Sequence, residues 1–109
     1  MAALVAHGGV EAMKNLQKPG SGKSAELSFG GEGGREFLLD GVPFQIRSGE
    51  IHPQRVPRQH WQHRIRAAKA MGLNTIAFYV FWNALEKEDG SWDFSGRNDI
   101  AAFIDLCQK

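Results

Sequence analysis

The chain has 109 residues, 42% hydrophobic and 23% charged, with 13 basic against 12 acidic side chains and a formal charge of +1. That apolar share is ordinary for a globular protein and excludes wholesale disorder, and no run approaches the roughly 18 apolar residues of a membrane-spanning helix. Near-neutral charge supplies no field for nucleic acid or an anionic membrane surface, and one cysteine, Cys107, excludes an internal disulfide and cysteine-built zinc sites.

The first 34 residues hold eight of the 13 glycines and one aromatic, Phe29. Little there can be buried. Met1 to Ala6 has the outline of an export leader, but its apolar stretch is only Ala2 to Ala6 and no Lys or Arg precedes it, whereas a leader's apolar core runs to about 7–15 residues. No export signal is read there. The run Gly20-Ser21-Gly22-Lys23-Ser24 invites a phosphate-binding loop, which needs a glycine where Gln17 stands and an apolar strand ahead of it. Neither is present. Residues 1–35 are therefore expected to be a flexible Gly-rich lead-in, with the folded domain over 36–109.

From Glu36 the pattern tightens. Phe37-Leu38-Leu39 and Val42-Pro43-Phe44 flank Asp40-Gly41, a pair that accepts the positive φ angles of a tight hairpin turn. Phe44 to Ile51 reads as a strand with its exit at Gly49-Glu50-Ile51-His52, and Pro53 and Pro57 break the next stretch into a loop. Trp61, Ile65, Ala68 and Met71 then recur at helical spacing, which predicts a helix over Arg58 to Met71 stopped by Gly72, with Arg58, Gln62, Arg66 and Lys69 toward water.

Ile76 to Trp82 is an unbroken apolar run without alternation, the pattern of a strand buried on both faces of a parallel sheet. Strand, helix and strand together make a βαβ unit. Alternation sends Phe78, Val80 and Trp82 one way and Tyr79 and Phe81 the other. After a loop from Asn83 to Gly96, Ile100, Phe103, Ile104 and Cys107 begin a second amphipathic helix with Asn98 as its cap. Two strands and their helices cannot cover both faces of such a sheet, so this α/β pattern is expected to open a larger fold.

In α/β sheets and barrels, chemistry collects where strands end, because the following loops converge on one face. Here those ends are Gly49 to His52 and Tyr79 to Glu86. Both carry groups suited to a sugar, since carboxylates and amides bond hydroxyls while indole and phenol rings stack on a pyranose C–H face.

The string Phe37-Leu38-Leu39-Asp40-Gly41-x-Pro43-Phe44, followed by Ser48-Gly49-Glu50-Ile51-His52-x-x-Arg55-Val56-Pro57, resembles the amino-terminal region of glycoside hydrolase family 35, the retaining β-galactosidases. Trp61, Met71-Gly72-Leu73-Asn74-Thr75, Tyr79-Val80-Phe81-Trp82-Asn83, Glu86 and Asp93-Phe94-Ser95-Gly96 extend it. The resemblance implies the amino-terminal portion of a (β/α)8 TIM barrel, its first two strands and helices, incomplete in this chain. It also implies hydrolysis of terminal non-reducing β-D-galactose from a β-galactoside, with no cofactor, no metal, and neither nucleic acid nor membrane as partner. The family's two catalytic glutamates lie at the ends of the fourth and seventh strands, so no residue of this chain is assigned as acid/base or nucleophile.

Residue by residue, the resemblance makes Tyr79 a galactose contact, with Glu86 and Asn83 as further substrate-binding residues. Glu50, His52, Arg55 and Trp82 are expected to support the site, and an ion pair between Glu86 and Arg55 is an alternative use of that glutamate. Glu50 and Glu86 are not promoted to catalytic roles. His60 and His63 lack a third ligand at compatible spacing and read as a solvated helix face, and Cys107 reads as a buried helix residue.

Two departures from the usual family pattern, Leu85-Glu86-Lys87 in the second-strand loop and Pro53 after the first-strand histidine, bear on loop conformation. Relatives are often periplasmic, secreted or lysosomal, and the compartment is left open. The isolated chain is expected to be inactive and to need the remainder of the barrel for stability. A non-catalytic carbohydrate-binding or subunit-interaction module built on the same barrel start is the alternative, and a nucleotide-binding protein is disfavoured because neither strand-to-helix turn carries a glycine fingerprint.

Overall fold

The computed structural model describes residues 2–5, as backbone, and residues 26–109. Three sheets occur among them. Parallel strands β5 (Ser48–Glu50) and β6 (Thr75–Phe78) are joined by helix α1 (Trp61–Ala70), and strand β1 (Ala2–Val5) pairs in parallel with the other edge of β6. Strands β2 (Leu27–Gly30), β3 (Glu36–Leu39) and β4 (Val42–Pro43) form an antiparallel sheet, and β7 (Glu86–Glu88) with β8 (Ser91–Trp92) a small ribbon. A short helix α2 (Trp82–Leu85) and helix α3 (Ile100–Gln108) complete the chain order.

Each element has a local cause. Asp40 at φ 51° and Gly41 at φ 79° make the expected turn between β3 and β4, and Phe44 N–H extends that ribbon by donating to Phe37 C=O at 2.7 Å. Helix α1 is preceded by a 3-10 turn at Arg58–His60, and its Trp61, Ile65 and Ala68 are buried as their spacing predicts. Met71 is not: it caps the helix after the last full turn and is 77% exposed. At α3 the cap is Asp99, whose carboxylate accepts from Ala102 N–H at 3.0 Å, and not Asn98.

The core lies on one face of the parallel sheet. Ile76 and Phe78 meet Trp61, Ile65, Ala68, Ile100, Phe103 and Cys107 there. The Phe103 ring meets both Trp61 and Phe78 nearly at right angles, at centroid distances of 5.3 and 5.2 Å. Val80 continues the alternation and packs against this cluster. Trp82 does not, because the chain turns into α2 at that residue. The expected strand from Phe44 likewise shortens to Ser48–Glu50, the residues that face β6.

Two regions expected to be irregular carry strands. Within 1–35, Leu27 and Phe29 sit on a strand paired with β3, where Phe29 and Phe37 rings lie 5.1 Å apart. The nearby glycines serve a turn instead of slack chain, with Gly31, Gly33 and Gly34 at φ 73°, 73° and 65°. The phosphate-loop and linker readings over Lys18 to Ser24 lie outside the described residues. In the loop read from Asn83 to Gly96, Asp89-Gly90 closes the β7–β8 ribbon.

Candidate functional site

The strand ends converge as the topology requires. β5 and β6 run parallel, so Glu50, His52 and Tyr79 emerge at one end of the sheet. Ile51 N–H donates to Ala77 C=O at 3.0 Å, which carries the pairing one residue past β5. Beyond it His52 faces Tyr79: its Nδ1 accepts from the Tyr79 backbone N–H at 3.0 Å, and the two rings lie 5.2 Å apart. That bond uses Nδ1 as an acceptor, which leaves Nε2 as the ring's donor nitrogen. The Nε2 lies 3.7 Å from the Glu50 carboxylate. Tyr79 is half exposed, at 48%.

Arg55 and Glu86 are not paired to each other. The Arg55 guanidinium lies over the Phe81 ring, 4.8 Å from its centroid, a cation–π contact. Glu86 is held on its own loop: Oε2 accepts from Trp82 Nε1 at 2.6 Å and Oε1 from Gly90 N–H at 2.8 Å. Trp82 thus reaches Glu86 through one hydrogen bond. Trp82 packs edge-on against Trp92 at 4.8 Å, and Phe94 stacks parallel to Trp92 at 6.1 Å. Asn83 is exposed on α2, with no side-chain hydrogen bond among the described residues.

A second set of side chains, which no sequence pattern points to, ties the two strand-end loops together. Gln54 is nearly buried and bonds Phe81 on both sides, accepting from its N–H at 2.7 Å and donating toward its C=O at 3.5 Å. Its amide also donates to Asn98 Oδ1 at 2.9 Å, and Asn98 in turn donates to Ala84 C=O at 2.8 Å. One glutamine therefore fixes the loop after β5 to the loop after β6. Below it, Trp61 Nε1 is shared between the carbonyls of Pro53 and Val56 at 3.1 and 3.0 Å, which gives Pro53 a structural use. Polar residues spaced this far apart leave no periodic signal, so only the fold reveals them.

The titratable groups divide between surface and core. Asp93 accepts from the Ser95 hydroxyl at 2.6 Å and its N–H at 2.9 Å, and those bonds, with Lys87 nearby, hold its carboxyl below the usual range. Burial pushes the Cys107 thiol up to about 11, so it is protonated and unreactive at neutral pH. His60 and His63 are exposed on the helix face. No cluster of three or more His, Cys, Asp or Glu suited to a metal occurs among the described residues, and no helix among them is long and apolar enough to cross a membrane.

Comparison with known proteins gives the family. The family model described as glycosyl hydrolases family 35 matches residues 36–109. The chain is 53% identical over 74 residues to a β-galactosidase of Xanthomonas manihotis, covering 68% of this chain and 12% of that protein. It is 47% identical over 74 residues to β-galactosidase-1-like protein 3 of Homo sapiens, covering 68% of this chain and 11% of that one. With β-galactosidase 8 of Oryza sativa subsp. japonica it shares 44% identity over 73 residues, 67% of this chain and 11% of the relative. The match thus spans 11–12% of the length of these relatives.

Proposed function

The chain belongs to glycosyl hydrolases family 35, and from that premise we propose that it supplies the first two strands of the (β/α)8 barrel of a retaining β-galactosidase. The observation that carries this reading is Tyr79. It stands at the carboxyl end of β6, half exposed, with its backbone pinned by His52 from the loop after the adjacent parallel strand. A phenol held there can bond a sugar hydroxyl at a reduced entropic cost, because its backbone is already fixed.

Around it the other groups take distinct tasks. Asn83 and Glu86 offer an amide and a carboxylate to galactose hydroxyls. Trp82 orients Glu86, Arg55 braces Phe81, and Glu50 with His52 holds the first strand's exit. In a retaining hydrolase one carboxylate attacks the anomeric carbon while another, about 5–5.5 Å away, protonates the leaving oxygen and then activates water. Both belong to later strands of the barrel on this reading, so the 109 residues bind and position sugar but do not cleave it. The remainder of the barrel is their structural partner, covering the sheet face that carries Tyr79, and the reaction calls for no cofactor.

Two measurements test this. The chain alone should show no turnover of a chromogenic β-galactoside; turnover abolished by Glu86→Gln would place the chemistry here and overturn the reading. Grafted in place of the matching 74 residues of the Xanthomonas manihotis enzyme, the chain should support β-galactosidase activity. Tyr79→Phe in that chimera should then lower kcat/KM by about 10- to 100-fold, the loss of one hydrogen bond to bound sugar. An unchanged kcat/KM would remove Tyr79 from the site.

A further inference from the structure

The edge of β6 turned away from β5 is occupied, and the strand that occupies it comes from the opposite end of the sequence. In a parallel strand the N–H and C=O of one residue point to the same edge, and successive residues alternate between edges. Thr75 N–H and Ala77 C=O bond toward the β5 side, to Arg47 C=O at 3.2 Å and Ile51 N–H at 3.0 Å. Ile76 and Phe78 therefore turn their backbone groups to the other edge, although their side chains are 0% and 1% exposed. β1 pairs there in parallel, Ala3 opposite Ile76 and Val5 opposite Phe78. Helix α3, which follows β6 in the chain, lies alongside β1, as a crossover helix lies beside the strand it leads to.

We propose that Ala2–Val5 is a stand-in strand, holding on β6 the place that the next parallel strand of a βαβ series takes. Identifying that place with the third barrel strand rests on the β-galactosidase barrel proposed above; the pairing itself does not. The strand satisfies two backbone N–H and C=O sets directly above the core and leaves no open edge on β6 to pair with another molecule. When the following barrel strand docks, Ala2–Val5 has to leave.

Residue-resolved amide exchange on the full 109-residue chain tests the pairing without any assay of sugar chemistry. In the unaltered chain Ile76 and Phe78 should be protected to the same order as Thr75 and Ala77. In Leu4→Pro, which bars strand pairing, Ile76 and Phe78 should exchange at least about tenfold faster while Thr75 and Ala77 hold within about threefold. Leu4→Val, which keeps the backbone donor, should retain the unaltered pattern. Fast exchange of Ile76 and Phe78 in the unaltered chain overturns the proposal, and so does an unchanged pattern in Leu4→Pro. Loss of all four protections together in Leu4→Pro overturns it as well, because β1 would then be integral to the core and not a displaceable edge. A chimera inactive on β-galactosides with this exchange pattern intact would instead sink the functional reading alone.

Discussion

The parallel sheet and the antiparallel hairpin sheet are built from strands of similar length, yet they hold together by different means. β5 and β6 carry two helices on one face, so Ile76, Phe78, Trp61 and Phe103 lose nearly all contact with water. Among the described residues no helix covers the β2–β3–β4 sheet. Phe29 is 74% exposed, and Leu27 and Val42 lie open as well. That sheet rests on turn geometry, the Phe29–Phe37 pair and the bonds between Asp40 and Glu26, whose backbones meet at 2.8 Å while Asp40 Oδ1 accepts from Glu26 N–H at 2.9 Å. Apolar residues alone do not make a core; a covered face does.

The comparison can be broken first at its strongest point. Phe103→Ala removes the ring that touches both Trp61 and Phe78 and should cost about 3–5 kcal/mol, seen as a large fall in Tm or loss of the cooperative transition. Gln54→Leu keeps the volume but leaves Phe81 N–H and Asn98 without their partner. It should cost about 1–3 kcal/mol by chemical denaturation. Gly41→Ala, at φ 79°, should cost about 1 kcal/mol and show mainly as faster amide exchange in β3 and β4, with β6 protection unchanged. Phe29→Ala on the open sheet should cost less than about 1 kcal/mol by thermal melting, and a loss equal to that of Phe103→Ala would erase the distinction.

How legible these features were from sequence depends on whether their cause is local. The β3–β4 hairpin announced itself through Asp40-Gly41 between apolar runs, and α1 through the spacing of Trp61, Ile65 and Ala68. Asp89-Gly90 is the same turn signal, but Glu86-Lys87-Glu88 ahead of it shows no apolar alternation, so the ribbon was hidden. Glycines read as slack around Gly31 because composition does not distinguish flexibility from a required positive φ. Asn98 and Asp99 are both good caps, and the bond Asn98 makes to Gln54, far along the chain, decides between them. At the site, strand-end placement brought His52 and Tyr79 together as the pattern suggested. The Arg55–Glu86 pairing failed because Phe81 and Trp82 offer each partner a nearer contact.

Glu86 has one further consequence. Its two oxygens are each engaged, one by the indole of Trp82 and one by the turn at Gly90. A carboxylate retains lone pairs beyond two such bonds, so it can still meet a hydroxyl, but never privately. A further donor at Glu86 would share those lone pairs with the indole and the ribbon turn. Through that one side chain the short helix α2 and the ribbon turn are tied together, and Trp82, at 43% exposure, carries the tie to the surface.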